Sequence, residues 1–481
     1  MALSDWFKSF QNVSEVRAPV NLRIRKGALP SALRGTYFKA SPGEFHKYGI
    51  PVAHPFDGDG YVSAFRFDDD GVQFQSRFVN TYHRQVEERL RRRVFMGAFG
   101  TPPITPFVKN PANTSVIEWG GYILVFCESG PPYLLDPKTL ETRGVLQPFR
   151  EGLPIRSGVQ FVDNLLRGLG VFGDAVCAHP KVVRCGGGNA DVLVLYSISY
   201  QGENSVITFF ELNEKFEILH TTSHEVANTL YFVHDFQVSD DYYFFVEHSV
   251  NFDWNKVKAS GLVNSIGINP SKPYNILHAV PRRPAREGGR MGGDGGMGRG
   301  VGEVGGHGLQ KEVLPGMVTH FAGLPKKVGS AYVFKNILYE SKIIEWNTID
   351  KGGRLYEITW NMENNDIRQD AVADHFMEFP VVSAAGTLFA NVGIYHRQGL
   401  VAIHDNKTTK KYWFIAEREF MSEPVVAGDF VMVVKYNAGI HDSVLLVFDA
   451  NDISTGPLCE IETPAAMPIG LHGWWSAAKL T

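Results

Sequence analysis

Apolar and polar positions alternate with a period of two along much of this chain, in short runs broken by glycine, proline and aspartate. Tyr61-Val62-Ser63-Ala64-Phe65-Arg66-Phe67 is one such run, and it follows two Asp-Gly steps in Phe56-Asp57-Gly58-Asp59-Gly60 that predict a tight turn. From residue 113 a unit emerges: a strand over Ser115 to Trp119, the pair Gly120-Gly121, a strand over Tyr122 to Cys127, and a third over Pro132 to Leu135 that enters the turn Asp136-Pro137-Lys138-Thr139. Similar units recur at 191–220, 231–250, 331–361, 383–404, 411–437 and 443–462, and Asp405-Asn406-Lys407-Thr408 and Asp449-Ala450-Asn451-Asp452 echo the first turn. Short strands, regular turns and few helices predict an all-β sandwich, barrel or propeller. A repeating unit of roughly 40 to 50 residues favours the propeller.

Three stretches depart from this rhythm. Residues 83 to 93, rich in Glu and Arg, predict a helix with a solvated charged face. Residues 150 to 173 carry few charges and read either as an amphipathic segment lying in a membrane interface or as a helix packed on the propeller. Residues 286 to 308 are glycine-rich with no Gly-Lys-Ser/Thr, so they predict a flexible insertion and not a phosphate loop.

Composition narrows the partners. The chain has 481 residues, 44% hydrophobic and 20% charged, with a net charge of −4, which argues against nucleic acid. The 33 phenylalanines fit an aromatic-lined interior. Cys127, Cys177, Cys185 and Cys459 form no CxxC and no disulfide framework, which points to a reducing compartment. Met1 to Arg17 has no apolar signal region, and no apolar run is long enough to span a bilayer. The expectation is a cytoplasmic or plastid protein, not a secreted one.

Near the C-terminus His472 sits between glycines in Pro468-Ile469-Gly470-Leu471-His472-Gly473-Trp474-Trp475. Glycines permit close backbone approach, and the paired tryptophans give the segment a reason to dock. Three other histidines share unusual apolar settings: His179 in Cys177-Ala178-His179-Pro180, His234 in Val233-His234-Asp235-Phe236, and His320 in Val318-Thr319-His320-Phe321. Each lies near a strand end in a different unit, and a propeller converges such strands on one axis. Four imidazoles meeting there suit Zn, Cu, Fe or Ni. They bring no charge, so carboxylates behind them are expected, accepting the outer ring N–H. Glu128, Glu378 and Glu423 are candidates, each embedded in apolar sequence where an unpaired charge is costly.

These residues, in this order and spacing, resemble the carotenoid cleavage oxygenases, a family that also contains stilbene-cleaving oxygenases and the retinoid isomerase. The resemblance covers almost the whole chain. Its carriers are Phe56-Asp57-Gly58-Asp59-Gly60, Asn113-Thr114-Ser115-Val116, Glu128-Ser129-Gly130-Pro131, Ala178-His179-Pro180, Val233-His234-Asp235-Phe236, Glu378-Phe379-Pro380, Ser422-Glu423-Pro424 and Gly470-Leu471-His472-Gly473. It implies a seven-bladed β-propeller with a dome of loops and helices over an axial metal site. It further implies one non-haem Fe(II) per chain held by His179, His234, His320 and His472, with Glu128, Glu378 and Glu423 behind them. An apolar tunnel would open at a membrane-facing patch, giving peripheral membrane contact. Two places depart from the family pattern. His320 is followed by Phe321-Ala322-Gly323-Leu324-Pro325 where Asn-Ala is usual, and a rival alignment through Phe334 to Glu340 puts Phe334 in the ligand slot. Lys39-Ala40-Ser41-Pro42-Gly43 replaces a more usual Arg-Asn-Gly-Pro, a change expected to affect a turn.

The implied reaction is oxidative cleavage of one C=C bond of a carotenoid or apocarotenoid by O2, giving two aldehyde or ketone products. A polyene offers nothing for an acid or base to titrate, so no paired-carboxylate or Ser-His-Asp site is needed. The alternatives are cleavage of a stilbenoid or isomerisation of a retinoid on the same fold, or a propeller that binds ligands or proteins without catalysis.

Overall fold

The computed structural model describes residues 3–101, 107–152, 173–183, 191–201, 204–227, 230, 233–253, 255–256, 261, 265–282, 308–316, 318–339, 353–394, 397–404 and 409–477. Most of the segment 150 to 173 and all but the last residue of 286 to 308 therefore lie outside the described residues.

The strands form a ring of seven antiparallel blades. Blade 1 runs inward through Val16–Asn21, Gly71–Phe78, Asp59–Asp68, Gly35–Glu44 and Gly473–Ser476. Blades 2, 3 and 4 are four-stranded sheets whose inner strands are Ser115–Trp119, Lys181–Val183 and Phe236–Val238. Blades 5 and 6 share the 17-residue strand Asp366–Val382. The inner strand of blade 5 is Val318–Val328; residues 366–371 of the shared strand form that blade's outer edge against Gly353–Asn361, and residues 376–382 pair with Leu388–Ile394 as the inner edge of the next blade. Blade 7 runs from the inner pieces Glu419–Met421 and Val425–Ala427 through Phe430–Asn437, Asp442–Asp449 and Cys459–Glu462 to Ile24–Gly27. Both chain ends therefore close the ring. The C-terminal strand is the inner strand of blade 1, and an N-terminal strand is the outer strand of blade 7.

The burial pattern explains why the sequence units fold this way. Strands between two blades are buried on both faces, as in Val192–Gln201 and Phe430–Asn437, and read as near-continuous apolar runs. Trp474 packs on the cores of blades 1 and 2 and of blades 2 and 3, and Trp475 packs on that of blades 1 and 7, so the tail is docked. The sequence units do not coincide with blades. The stretch 411–437 joins the outer strand of blade 6 to the inner strands of blade 7.

The helix over residues 83 to 93 forms as Tyr82–Leu90, with Thr81 as its N-cap. Its charged face is not solvated throughout, which corrects the sequence expectation. Glu87 is fully buried and pairs with Lys109 at 2.6 Å, and Arg84 pairs with Glu44 at 2.8 Å and Asp59 at 3.2 Å. Asp59 also meets Lys109 at 2.6 Å. Asp57 accepts Phe99 N–H at 3.0 Å and the Thr101 hydroxyl at 2.7 Å. The two aspartates of the predicted turn thus anchor the helix and the 94–101 segment to blade 1. Cys127, Cys177 and Cys459 are free thiols.

Candidate metal centre

The inner strands converge on the axis, and each of six blades brings one candidate residue there. His472 immediately precedes the inner strand of blade 1. His179 and His234 stand two residues before those of blades 3 and 4. His320 and Glu378 lie within those of blades 5 and 6, and Glu423 lies between the two inner pieces of blade 7. Glu128 comes from blade 2, on the turn after its second strand.

The four imidazoles form one cluster. The ring of His179 lies 4.3 Å from His234, 4.9 Å from His320 and 4.6 Å from His472, centre to centre, and His320 lies 5.2 Å from His472 and 5.5 Å from His234. Donor atoms of His179, His320 and His472 lie within 4.8 Å of one another, as do those of Glu128, His179 and His234. Two imidazole nitrogens on one transition-metal ion stand roughly 3–4.3 Å apart, so the spacing accommodates a shared ion. The rival alignment finds no support here: Phe334 packs in the core of blades 4 and 5 against Phe244 and Phe321.

The outer ring nitrogens identify the inner ones. Oε1 of Glu423 accepts from Nδ1 of His472 at 2.8 Å, and Oε2 accepts Gly473 N–H at 2.8 Å. Both carboxylate oxygens are acceptors, so the His472 proton sits on Nδ1 and the lone pair on Nε2. Nδ1 of His234 lies 3.1 Å from Oε1 of Glu128. Burial pushes the Glu128 carboxyl up, but the interaction with His234 outweighs it and holds it below the ordinary range. Carboxylate-backed imidazole is the arrangement that fixes tautomer and raises ligand basicity. Burial and the neighbouring imidazoles hold His179 and His320 well below the usual histidine value, so both are neutral with a lone pair available.

Nε2 of His179 is buried and has no hydrogen-bond partner among the described residues. Leaving such an atom unpaired costs about 1–3 kcal/mol, and here it faces three other imidazoles. A cation shared among them removes that cost, so the donor set fits a transition-metal ion.

Contacts with the backbone hold three of the four imidazoles in place. The carbonyl before His179, that of Ala178, accepts from the Ser115 hydroxyl, and the carbonyl before His234, that of Val233, accepts from the Tyr196 hydroxyl. His472 N–H donates to Thr114 O at 3.1 Å, and Ala40 N–H donates to His472 O at 3.0 Å. The glycines flanking His472 answer to close approach: a Cβ on Gly473 would lie 2.6 Å from the Tyr37 ring, and one on Gly470 would lie 2.2 Å from Nζ of Lys39. Lys39 is in mid-strand and only 1% exposed, so the departure read as a turn places a lysine behind the metal centre. Burial pushes its amine down to about 7, against the opposing pull of Glu423.

Glu378 occupies the matching position in blade 6. No ion pair joins it to an imidazole among the described residues. It is half-buried, and desolvation pushes its carboxyl up to about 8. The next residue, Phe379, has φ of +54° and lays its ring 5.6 Å from His472. A positive φ at a bulky aromatic is strained backbone, of the kind that gathers at functional sites.

Asp235 was missed by sequence reasoning. Its side chain is wholly buried behind the histidines and takes donors from three blades. The signal was an acid inside an apolar strand run, next to a candidate ligand.

The family model for the retinal pigment epithelial membrane protein matches residues 9–477. The chain is 25% identical to the apocarotenoid-15,15'-oxygenase of Synechocystis sp., over 98% of this chain and 96% of that one. It is 24% identical to the isoeugenol monooxygenase of Pseudomonas nitroreducens, over 93% of each. Among solved structures, cobalt-substituted Synechocystis apocarotenoid oxygenase superposes with a TM-score of 0.81 at 24% identity, over 99% of each chain.

Proposed function

The chain belongs to the carotenoid cleavage oxygenase family, that of the retinal pigment epithelial membrane protein, and on that premise we propose that it is an Fe(II)-dependent dioxygenase cleaving a C=C bond of a carotenoid or apocarotenoid. The reaction consumes one O2 and yields two carbonyl products, with no external reductant. His179, His234, His320 and His472 would hold the iron. When bound, the iron supplies the activation of O2, which no side chain in the centre can supply.

The chain's own residues do the rest. Glu423 holds the proton of His472 on Nδ1 and keeps its Nε2 turned inward, and Glu128 stands behind His234 with a carboxylate oxygen 3.1 Å from Nδ1. They also supply negative charge that four neutral imidazoles lack. Glu378 completes a set of three acidic side chains around the centre, and burial favours its neutral form. Phe379, fixed by its strained backbone against His472, offers an apolar wall to a substrate without polar groups. Placing one double bond beside the metal and excluding water is the work left to the protein.

The observation that carries this reading is the convergence of four imidazoles from four blades, with a buried Nε2 on His179 that has no hydrogen-bond partner among the described residues. A membrane surface as the source of such a substrate belongs to the same reading. Helix Tyr82–Leu90 exposes Tyr82 and Leu90 at 56% and 61%, and no described helix is long and apolar enough to cross a bilayer. A second reading, cleavage of a phenylpropanoid alkene, rests on the similarity to isoeugenol monooxygenase over nearly the whole chain.

Oxygen uptake and product masses, measured on iron-loaded protein with β-carotene, an apocarotenal, a stilbene and isoeugenol, decide between them. Uptake with paired carbonyl products from a polyene supports the first reading. Products from the phenolic alkenes alone support the second, and no uptake with any substrate sinks both.

A further inference from the structure

We propose that Asp235 is a positioning residue that sets the spacing of three of the four imidazoles, tying blades 3, 4 and 5 together directly behind the metal centre. The inference rests on the iron reading and goes beyond it, since Asp235 touches neither metal nor substrate.

The geometry is specific. The Asp235 side chain is 0% exposed. Its Oδ1 accepts Nζ of Lys181 at 2.7 Å and Phe236 N–H at 2.7 Å, and its Oδ2 accepts Phe321 N–H at 2.8 Å. Lys181 stands two residues after His179, Phe236 two after His234, and Phe321 one after His320. Each donor thus belongs to the same short piece of backbone as one imidazole. Nζ of Lys181 also lies 5.8 Å from the ring centre of Phe236, a second link between blades 3 and 4.

A carboxylate suits this place for two reasons. It accepts at both oxygens, and all three groups facing it are donors. Its charge offsets Lys181, and burying either charge without the other is costly. An asparagine cannot reproduce this. With its amide nitrogen in the Oδ1 place it meets an ammonium and an N–H, and in the Oδ2 place it meets Phe321 N–H. In the second orientation blade 5 loses its link, and with it the placement of His320. A metal site tolerates about 0.5 Å of error in its ligands, so a relaxation of that size reaches the metal.

The test is Co(II) binding to the full chain, read by its d–d absorption and by competition with a chromophoric chelator, with melting of the metal-free protein alongside. Asp235→Asn is expected to bind Co(II) about 10–100-fold more weakly, as for other partners behind metal ligands, and to shift the d–d bands. Glu211→Gln is the control. Glu211 is a buried acid that also joins blades 3 and 4, through Tyr243 at 2.6 Å and Arg282 at 2.5 Å, but it neighbours no imidazole of the centre. It should lower the melting temperature while binding Co(II) as tightly as the parent. Lys181→Met, which leaves Asp235 its two backbone donors, should give a smaller drop in affinity and serves if Asp235→Asn does not fold. Unchanged affinity and spectrum in the Asp235 or Lys181 variant, with a parent that binds, overturn the proposal and leave the iron reading standing. Equal loss in the Glu211 variant also overturns it, by showing a general effect of blade loosening. A parent chain that binds no Co(II) overturns the iron reading and this proposal together.

Discussion

Replacing Glu423 by glutamine asks whether the carboxylate behind His472 acts on the metal. In the parent both oxygens are acceptors at 2.8 Å, one for the imidazole Nδ1–H and one for Gly473 N–H. The amide keeps one acceptor and turns a donor toward the other N–H. If the oxygen stays on His472, a charge-assisted hydrogen bond becomes a neutral one, at a cost of about 1–2 kcal/mol. If it turns to Gly473, the imidazole faces a donor and the cost rises to about 3 kcal/mol. At 1.4 kcal/mol per tenfold, metal affinity should fall roughly 10- to 100-fold. Glu128→Gln should cost less, because the Glu128–His234 distance is longer, 3.1 Å, and both side chains keep accessible surface, 28% and 20%, so water can replace part of the interaction. The assay is anaerobic Fe(II) or Co(II) titration against a chelator, at matched melting temperature. A Glu423→Gln protein that folds and binds as tightly as the parent refutes the reasoning. So does an order in which Glu128 matters more.

Three further outcomes follow from the same geometry. Lys39, folded near 7 against an ordinary 10.5, carries a cost that is full below about pH 7 and fades as pH rises toward 10. Lys39→Met should therefore gain stability over the parent most at pH 7 and below, the gap closing by about 1.4 kcal/mol per pH unit above that, as checked by denaturant unfolding. Glu378, pushed up to about 8 from an ordinary 4.5, behaves in the opposite sense, its cost absent below pH 4.5 and growing until about pH 8. Metal-free Glu378→Gln should thus gain on the parent as pH rises from 5 to 8, and parallel unfolding curves would contradict the burial argument. Gly473→Ala puts a methyl 2.6 Å from the Tyr37 ring and 3.0 Å from Phe38 O, which should cost about 1–3 kcal/mol in unfolding experiments and weaken metal binding by displacing His472.

Local pattern carried the sequence reading a long way. The strands over 115–119 and 122–126 lie where alternation and the Gly-Gly turn predict them, and the docked tryptophans and close-packed glycines around His472 follow from residue type alone. What stayed hidden depends on partners distant in sequence. Asp57 and Asp59 read as turn formers, yet their charges serve contacts with Thr101 and Lys109. Asp235 reaches Phe321, 86 residues away, and no local pattern announces that. Lys39 read as a turn substitution because its burial is created by blade 7 and the C-terminal segment packing over it. The make-up of blade 7 was hidden for a related reason: its outer strand, Ile24–Gly27, comes from the opposite end of the chain to the rest of the blade.

The central claim is that His179, His234, His320 and His472 share one ion. Metal analysis of the parent and of His179→Ala, His234→Ala, His320→Ala and His472→Ala, each loaded with Fe(II) under anaerobic conditions and freed of excess, tests it most directly. The account predicts one iron per parent chain and a folded protein that loses it in each variant. An iron-free parent, or a His320→Ala or His179→Ala chain that still holds a full iron, would contradict it.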